Sequence, residues 1–91
     1  MGLDSLVWET CSRLEERGQE LAPVVVKKVI QVARMAVQGP ERPDGQALVE
    51  AVRLRLRQER VLLPAPRVRA VLVAYLAVIG ELEIQEINEI L

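Results

Sequence analysis

An all-α fold is the class this sequence predicts: a small four- or five-helix bundle around a central apolar helix at about residues 66–80. Three observations carry that prediction. Residues Ala70 to Ile79 hold no charge, and Tyr75 supplies their one polar side chain. A helix apolar on every side is surrounded by protein rather than laid on a surface. Elsewhere the apolar residues recur at helical i, i+4, i+7 spacing, and the prolines fall between those stretches or at their starts. One domain, residues 1–91, accounts for the whole chain.

The first helix is expected over about Leu3–Leu21, where Val7, Cys11, Leu14, Gly18 and Leu21 form an apolar stripe. Asp4 or Ser5 would cap its start. Gly18 weakens the last turn by about 1 kcal/mol relative to alanine, which offers an earlier end. The second helix starts at Pro23, a residue suited to a first helical turn, and stops at Gly39-Pro40. Its polar residues Lys27, Lys28, Gln31, Arg34 and Gln38 gather on one side. The run Val24-Val25-Val26 favours a strand by propensity, but the helical period outweighs it.

Residues 39–45 hold two prolines and two glycines and form a loop. A third helix follows from about Asp44 to Arg60. Within it Val52 to Arg57 alternates strictly, so a strand is the rival reading; the length of the element favours helix. Val61 to Pro66 is an apolar crossing segment, because residues before proline are pushed toward extended geometry. Pro66 then suits the first turn of the central helix. Beyond it, Ala70, Val73, Ala77, Gly80, Ile84, Ile87 and Leu91 are spaced alternately by three and four. Spacing of that kind marks a helix-pairing seam. Either one helix runs on from residue 66, or Gly80 separates a short final helix.

The composition sets the function classes. Of the 91 residues, 51% are hydrophobic, whereas a chain this short buries only about 60–65% of its unfolded surface. The surplus predicts a partner: another copy of the chain, or a larger assembly. The longest uncharged run, Ala70 to Gly80, is far below the roughly 20 residues that span a bilayer. No membrane span is expected. An interfacial membrane role is disfavoured, because the acidic C-terminal segment would be repelled by anionic lipid. A lone cysteine and an N-terminal stretch interrupted by Asp4 and Glu9 point to a cytoplasmic protein.

Catalysis is not expected. The sequence contains no histidine, so the commonest general base is missing and Ser–His or Cys–His nucleophiles cannot form. One cysteine and scattered glutamates make no metal set, and no glycine belongs to a phosphate-binding loop. We therefore expect no catalytic, metal or cofactor-binding residues and no cofactor. Cys11 reads as a small buried hydrophobe, and Trp8 as a core residue rather than a partner anchor.

Two sets of residues remain as candidate contacts. The apolar C-terminal residues Ile84, Ile87, Ile90 and Leu91 are expected to dock on another copy or a larger partner, making this a helical oligomerisation or adaptor protein. The second set is basic. Arg53, Arg57 and Arg60 share a helical face, with Arg67 and Arg69 across the following turn. Residues 53–69 carry a net charge of +5, flanked by −3 over residues 1–22 and −4 over residues 81–91. The arginines could neutralise phosphates as a small nucleic-acid-binding or regulatory protein does. The pI near 5.5 and the lack of aromatic residues beside the stripe argue against that, and pairing with the acidic N- or C-terminal segment, or with a neighbouring subunit, is preferred.

Overall fold

Residues 65–90 form one helix, which decides between the two readings of the C-terminal stretch. A computed structural model describes the backbone of residues 2–37 and 45–90 and the side chains of 2–37 and 45–80. Its elements are α1 (Leu3–Glu16), α2 (Pro23–Ala36), α3 (Gly45–Gln58) and α4 (Ala65–Ile90). Among the described residues there is no strand. The proposed Gly39-Pro40 stop and most of the loop at 39–45 lie outside the described residues.

Helix α2 begins with Pro23 in its first turn, and the Ala22 carbonyl accepts from the Val25 and Val26 amides at 3.0 and 3.1 Å. Its valines pack as helix: Val26, Val29, Ile30, Val32 and Ala33 are all buried. Helix α3 settles the alternating run in the same way. Val52 and Leu56, four apart, are buried, while Leu54 between them is 50% exposed. A strand would have placed all three on one side.

Helix α1 is shorter than the stripe suggested, and its end has a definite cause. The Gly18 amide donates to Glu15 at 3.0 Å and the Gln19 amide to Leu14 at 2.8 Å, with Gly18 at φ +72°. This is a Schellman closure, which needs a left-handed residue just past the helix. Leu21, half-buried, then packs on the core from beyond the turn. At the other end Gly2 takes the N-cap position without a side-chain bond, so neither Asp4 nor Ser5 caps.

Helix α3 closes by the same device without a glycine. The Arg60 amide donates to Arg57 at 3.1 Å and the Val61 amide to Leu56 at 2.8 Å, while Arg60 itself adopts φ +64°. The helix therefore ends at Gln58 rather than Arg60. The turn sets Val61 and Leu63 against the core and leaves Leu62 at 78% exposure. The apolar crossing segment is packed down as its composition requires. Pro64 closes it, accepting from the Arg67 and Val68 amides to start α4.

The four helices are not equivalent. Both α2 and α4 pack on every other helix, whereas α1 and α3 do not meet. The bundle is a central α2–α4 pair flanked by α1 and α3. Helix α4 buries Val68, Val71, Leu72, Ala74, Tyr75 and Val78, with Val68 and Val71 at zero exposure. The Tyr75 hydroxyl, the polar group of the apolar run, accepts a hydrogen bond from Arg34 Nε of α2 at 3.2 Å. Thr10 is fully buried and donates to the Leu6 carbonyl at 2.7 Å, which satisfies it within its own helix.

The strained turn at Arg60 yields a prediction. A left-handed side-chain-bearing residue costs about 1–2 kcal/mol, against about 0.4–1 kcal/mol for the greater unfolded freedom of glycine. Arg60→Gly is expected to raise unfolding stability by roughly 0.5–1 kcal/mol in a denaturant titration. No gain would show that the turn is unstrained.

Candidate functional site

The site is best built from α4, because that helix presents apolar residues on two sides. Its buried residues occupy one side. Ala70, Val73, Ala77 and Gly80, the first four members of the three-four series, occupy the other. At 100° per residue the two sets centre about 180° apart. Val73 is 42% exposed, Leu76 beside it is 55% exposed, and Ala70, Ala77 and Gly80 are half-buried. Over residues 70–80 the seam read from the sequence is thus a helical face, of which Ala70 packs against the core and Val73 stands exposed.

Neighbouring residues shape that face. Leu72, Val73, Leu76 and Arg69 of α4 meet Gly45, Gln46, Leu48 and Val49 of α3 around an open cleft of about 200 Å³. Gly80 has no packing reason of its own: among the described residues, a methyl group there would meet no atom within 4 Å. The expected docking residues Ile84, Ile87, Ile90 and Leu91 lie outside the residues whose side chains are described.

The arginines are not gathered into one site. Arg53 and Arg57 border a groove with Val61, Leu62, Leu63 and Pro64. Arg69 belongs instead to the α3–α4 cleft. Arg67 and Arg69, two apart on one helix, point about 200° from each other. Arg60 stands in the turn, outside the helical face that the spacing implied.

Two of the arginines have carboxylate neighbours close by in sequence. Arg53 Nη2 bonds Glu50 Oε2 of its own helix at 2.9 Å, and Arg55 lies 4.0 Å from Glu59. Among the described residues Arg57, Arg60, Arg67 and Arg69 form no ion pair. The acidic face of α1 reaches α2 rather than α3, through Asp4 and Lys27 at 3.5 Å. Lys28 meets Glu59 at 2.7 Å. Every one of these side chains keeps about a third or more of its surface in solvent, so each pair contributes at most about 1 kcal/mol.

Trp8 corrects the sequence reading. It is 67% exposed and borders a shallow hollow with Cys11, Glu15, Leu21 and Pro23. Leu6, Val7, Thr10, Cys11 and Leu14 fill the buried side of α1. Thr10 holds the core position that a count of apolar residues passes over, and its position four residues after Leu6 was the available signal.

Cys11 is buried as expected. Burial first, and the nearby Glu15 carboxylate second, push its thiol pKa up. Among the described residues no group of three or more metal-ligating side chains comes together, and no helix is long and apolar enough to cross a membrane. Comparison with known protein families, with characterised proteins and with solved structures finds no match.

The raised thiol has a measurable consequence. Only the thiolate reacts, and folding both buries and disfavours it, so Cys11 should be alkylated more slowly in the native protein than in the unfolded chain at pH 8. Because the folded state holds the proton more tightly, this group contributes a loss of stability as pH rises through the unfolded thiol range, and none below it. Equal native and unfolded alkylation rates would place Cys11 at the surface.

Proposed function

We propose that this chain is a non-enzymatic helical interaction module, an oligomerisation or adaptor protein. Its C-terminal segment, through Ile84, Ile87, Ile90 and Leu91, docks on another copy or on a larger partner. One observation carries the reading: α4 is apolar on the side turned away from its own core. A helix with a solvated outer face would carry charge there. This one carries Val73, Leu76, Ala77 and Gly80, with Arg69 as the charged residue beside them among the described ones, and by sequence the spacing continues to Ile84 and Ile87.

Length supports the same reading. Helix α4 has 26 residues and each of its neighbours 14, or about 39 Å against about 21 Å. The described core residues of α4 end at Val78. Covering further apolar surface, at roughly 25 cal/mol per Å², would drive association.

The test replaces both isoleucines in the full chain. Ile84→Lys with Ile87→Lys should lower the mass measured by light scattering to that of a single chain, or abolish binding to the partner. Helical circular dichroism should be preserved. Unchanged mass and unchanged solubility would remove the docking reading.

A second reading, a nucleic-acid-binding or regulatory protein, is favoured by one observation: Arg57, Arg60, Arg67 and Arg69 have no ion-pair partner among the described residues. The separation of Arg57 from Arg69, which line different clefts, weighs against a single phosphate-tracking stripe, as does the distance of Trp8 on α1, a helix that does not meet α3. Phosphate binding predicts retention on heparin at 50 mM salt that collapses by 200 mM. Passage through the column at both salts is the outcome the interaction reading expects.

A further inference from the structure

We propose that the end of the bundle where α2 and α4 begin is a self-complementary contact face. The Leu62 turn of one copy enters the hollow beside Trp8 of a second copy, and the reverse contact forms at the same time. This face lies at the opposite end of α4 from Ile84 and Ile87, so it goes beyond the docking reading and does not depend on it.

Exposure locates the face. Among the described residues the three most exposed large apolar side chains are Leu62 at 78%, Val24 at 74% and Trp8 at 67%. All three belong to one end of the bundle. Val24 is the second residue of α2, and Trp8 shares a hollow of about 430 Å³ with Ala22 and Pro23 at the head of that helix. Lys28, in the second turn of α2, holds Glu59 at 2.7 Å. That pair sets the 59–64 turn, and Leu62 with it, beside the same helix start. A lone exposed apolar residue is ordinary, whereas several gathered at one place mark an interaction surface.

The two halves of the face differ in shape. The left-handed turn at Arg60 tucks Val61 and Leu63 onto the core and leaves Leu62 projecting between them. Trp8, Leu21 and Pro23 instead wall an open depression. Leu62 does not fill the depression of its own chain, since it stands in solvent.

Charge selects a second copy as the occupant. Around the hollow, residues 15–23 carry Glu15, Glu16 and Glu20 against Arg17, a net −2. Around the turn, residues 57–67 carry Arg57, Arg60 and Arg67 against Glu59, a net +2, and Glu59 is already held by Lys28. Among the described residues Glu15, Glu20, Arg57, Arg60 and Arg67 have no ion-pair partner. Hollow against hollow, or turn against turn, sets like charges together and opposes association. Turn against hollow sets opposite charges together. Because both halves lie at one end, a single two-fold axis makes both crosswise contacts at once, which is the closed geometry of an isologous dimer.

Other exposed apolar places offer no such match. Val73 and Leu76 of α4 have Arg69 as their charged neighbour around the α3–α4 cleft, with no acidic counterpart there. The groove by Met35 has a mixed rim of Lys28, Arg34, Arg55 and Glu59.

A contact of one projecting side chain and a few rim charges per half is weak and transient, so it fills at about 0.1–1 mM. Sedimentation equilibrium of the Ile84→Lys, Ile87→Lys chain, which lacks the C-terminal contact, should show a monomer–dimer equilibrium in that range. Trp8 is the chain's single tryptophan, and its emission should shift to the blue as the dimer fills. Leu62→Glu in this background should raise the dimer dissociation constant at least tenfold and abolish the shift, with helical circular dichroism unchanged. The wild-type chain carries the same fluorescence reading if that background fails to fold.

Charge reversal tests the crosswise pairing. Glu15→Lys with Glu20→Lys makes both halves basic, and Arg57→Glu with Arg60→Glu makes both acidic. Each chain alone should dimerise at least tenfold more weakly than the parent, and an equimolar mixture should form a heterodimer with the parent's affinity restored. A parent chain that stays monomeric to about 1 mM overturns the self-complementary face. So does a dimer that Leu62→Glu leaves intact, or a mixture no tighter than either reversed chain. The docking reading is decided separately, by comparing wild type with the Ile84→Lys, Ile87→Lys chain at low concentration.

Discussion

The burial of one side of α4 against the other three helices is the constraint on which this structure depends. Val68, Val71, Leu72, Ala74, Tyr75 and Val78 close the space between α1, α2 and α3, and α1 and α3 have no contact with each other to replace them. Each valine or leucine among them, fully buried, contributes about 1.5–3 kcal/mol. The solvent-accessible ion pairs at Asp4–Lys27 and Lys28–Glu59 add at most about 1 kcal/mol each. Apolar packing therefore decides the fold, and the charged pairs trim its edges.

The same constraint explains the polar exceptions. Tyr75 can enter the core because its hydroxyl reaches Arg34 at the rim. Thr10 can enter because its own helix supplies an acceptor. A buried hydroxyl without such a partner would cost about 1–3 kcal/mol, comparable to what a neighbouring valine contributes. Trp8 takes the opposite course, standing at the surface while smaller residues fill the buried side of α1.

Because the core uses only one side of α4, the apolar residues on its other side need a different account. Composition suggested surplus apolar surface without locating it. The structure places exposed apolar side chains in several spots, including Met35 and Leu54, but among the described residues it is on α4, the longest helix, that two of them, Val73 and Leu76, stand one turn apart. That placement, rather than exposure alone, supports the interaction reading. An exposed apolar side chain taken singly needs no explanation.

Much of the fold was legible in the residues because helices announce themselves locally. Pro23 and Pro66 mark first turns, Gly18 supplies a left-handed closure, and periodicity overrides the strand preference of Val24-Val25-Val26. The apolar run at 70–79 identified the central helix, and the three-four series of Ala70, Val73, Ala77 and Gly80 identified a face. What spacing could not say is which of the two apolar sides of α4 would be claimed by the chain itself. That depends on where α1, α2 and α3 come to rest, a matter of long-range packing that no local pattern encodes. The separation of Arg53 and Arg57 from Arg69, the exposure of Trp8 and the turn at Arg60 were settled at that same level. Neighbours in sequence become neighbours on a surface only after the helices have chosen their partners.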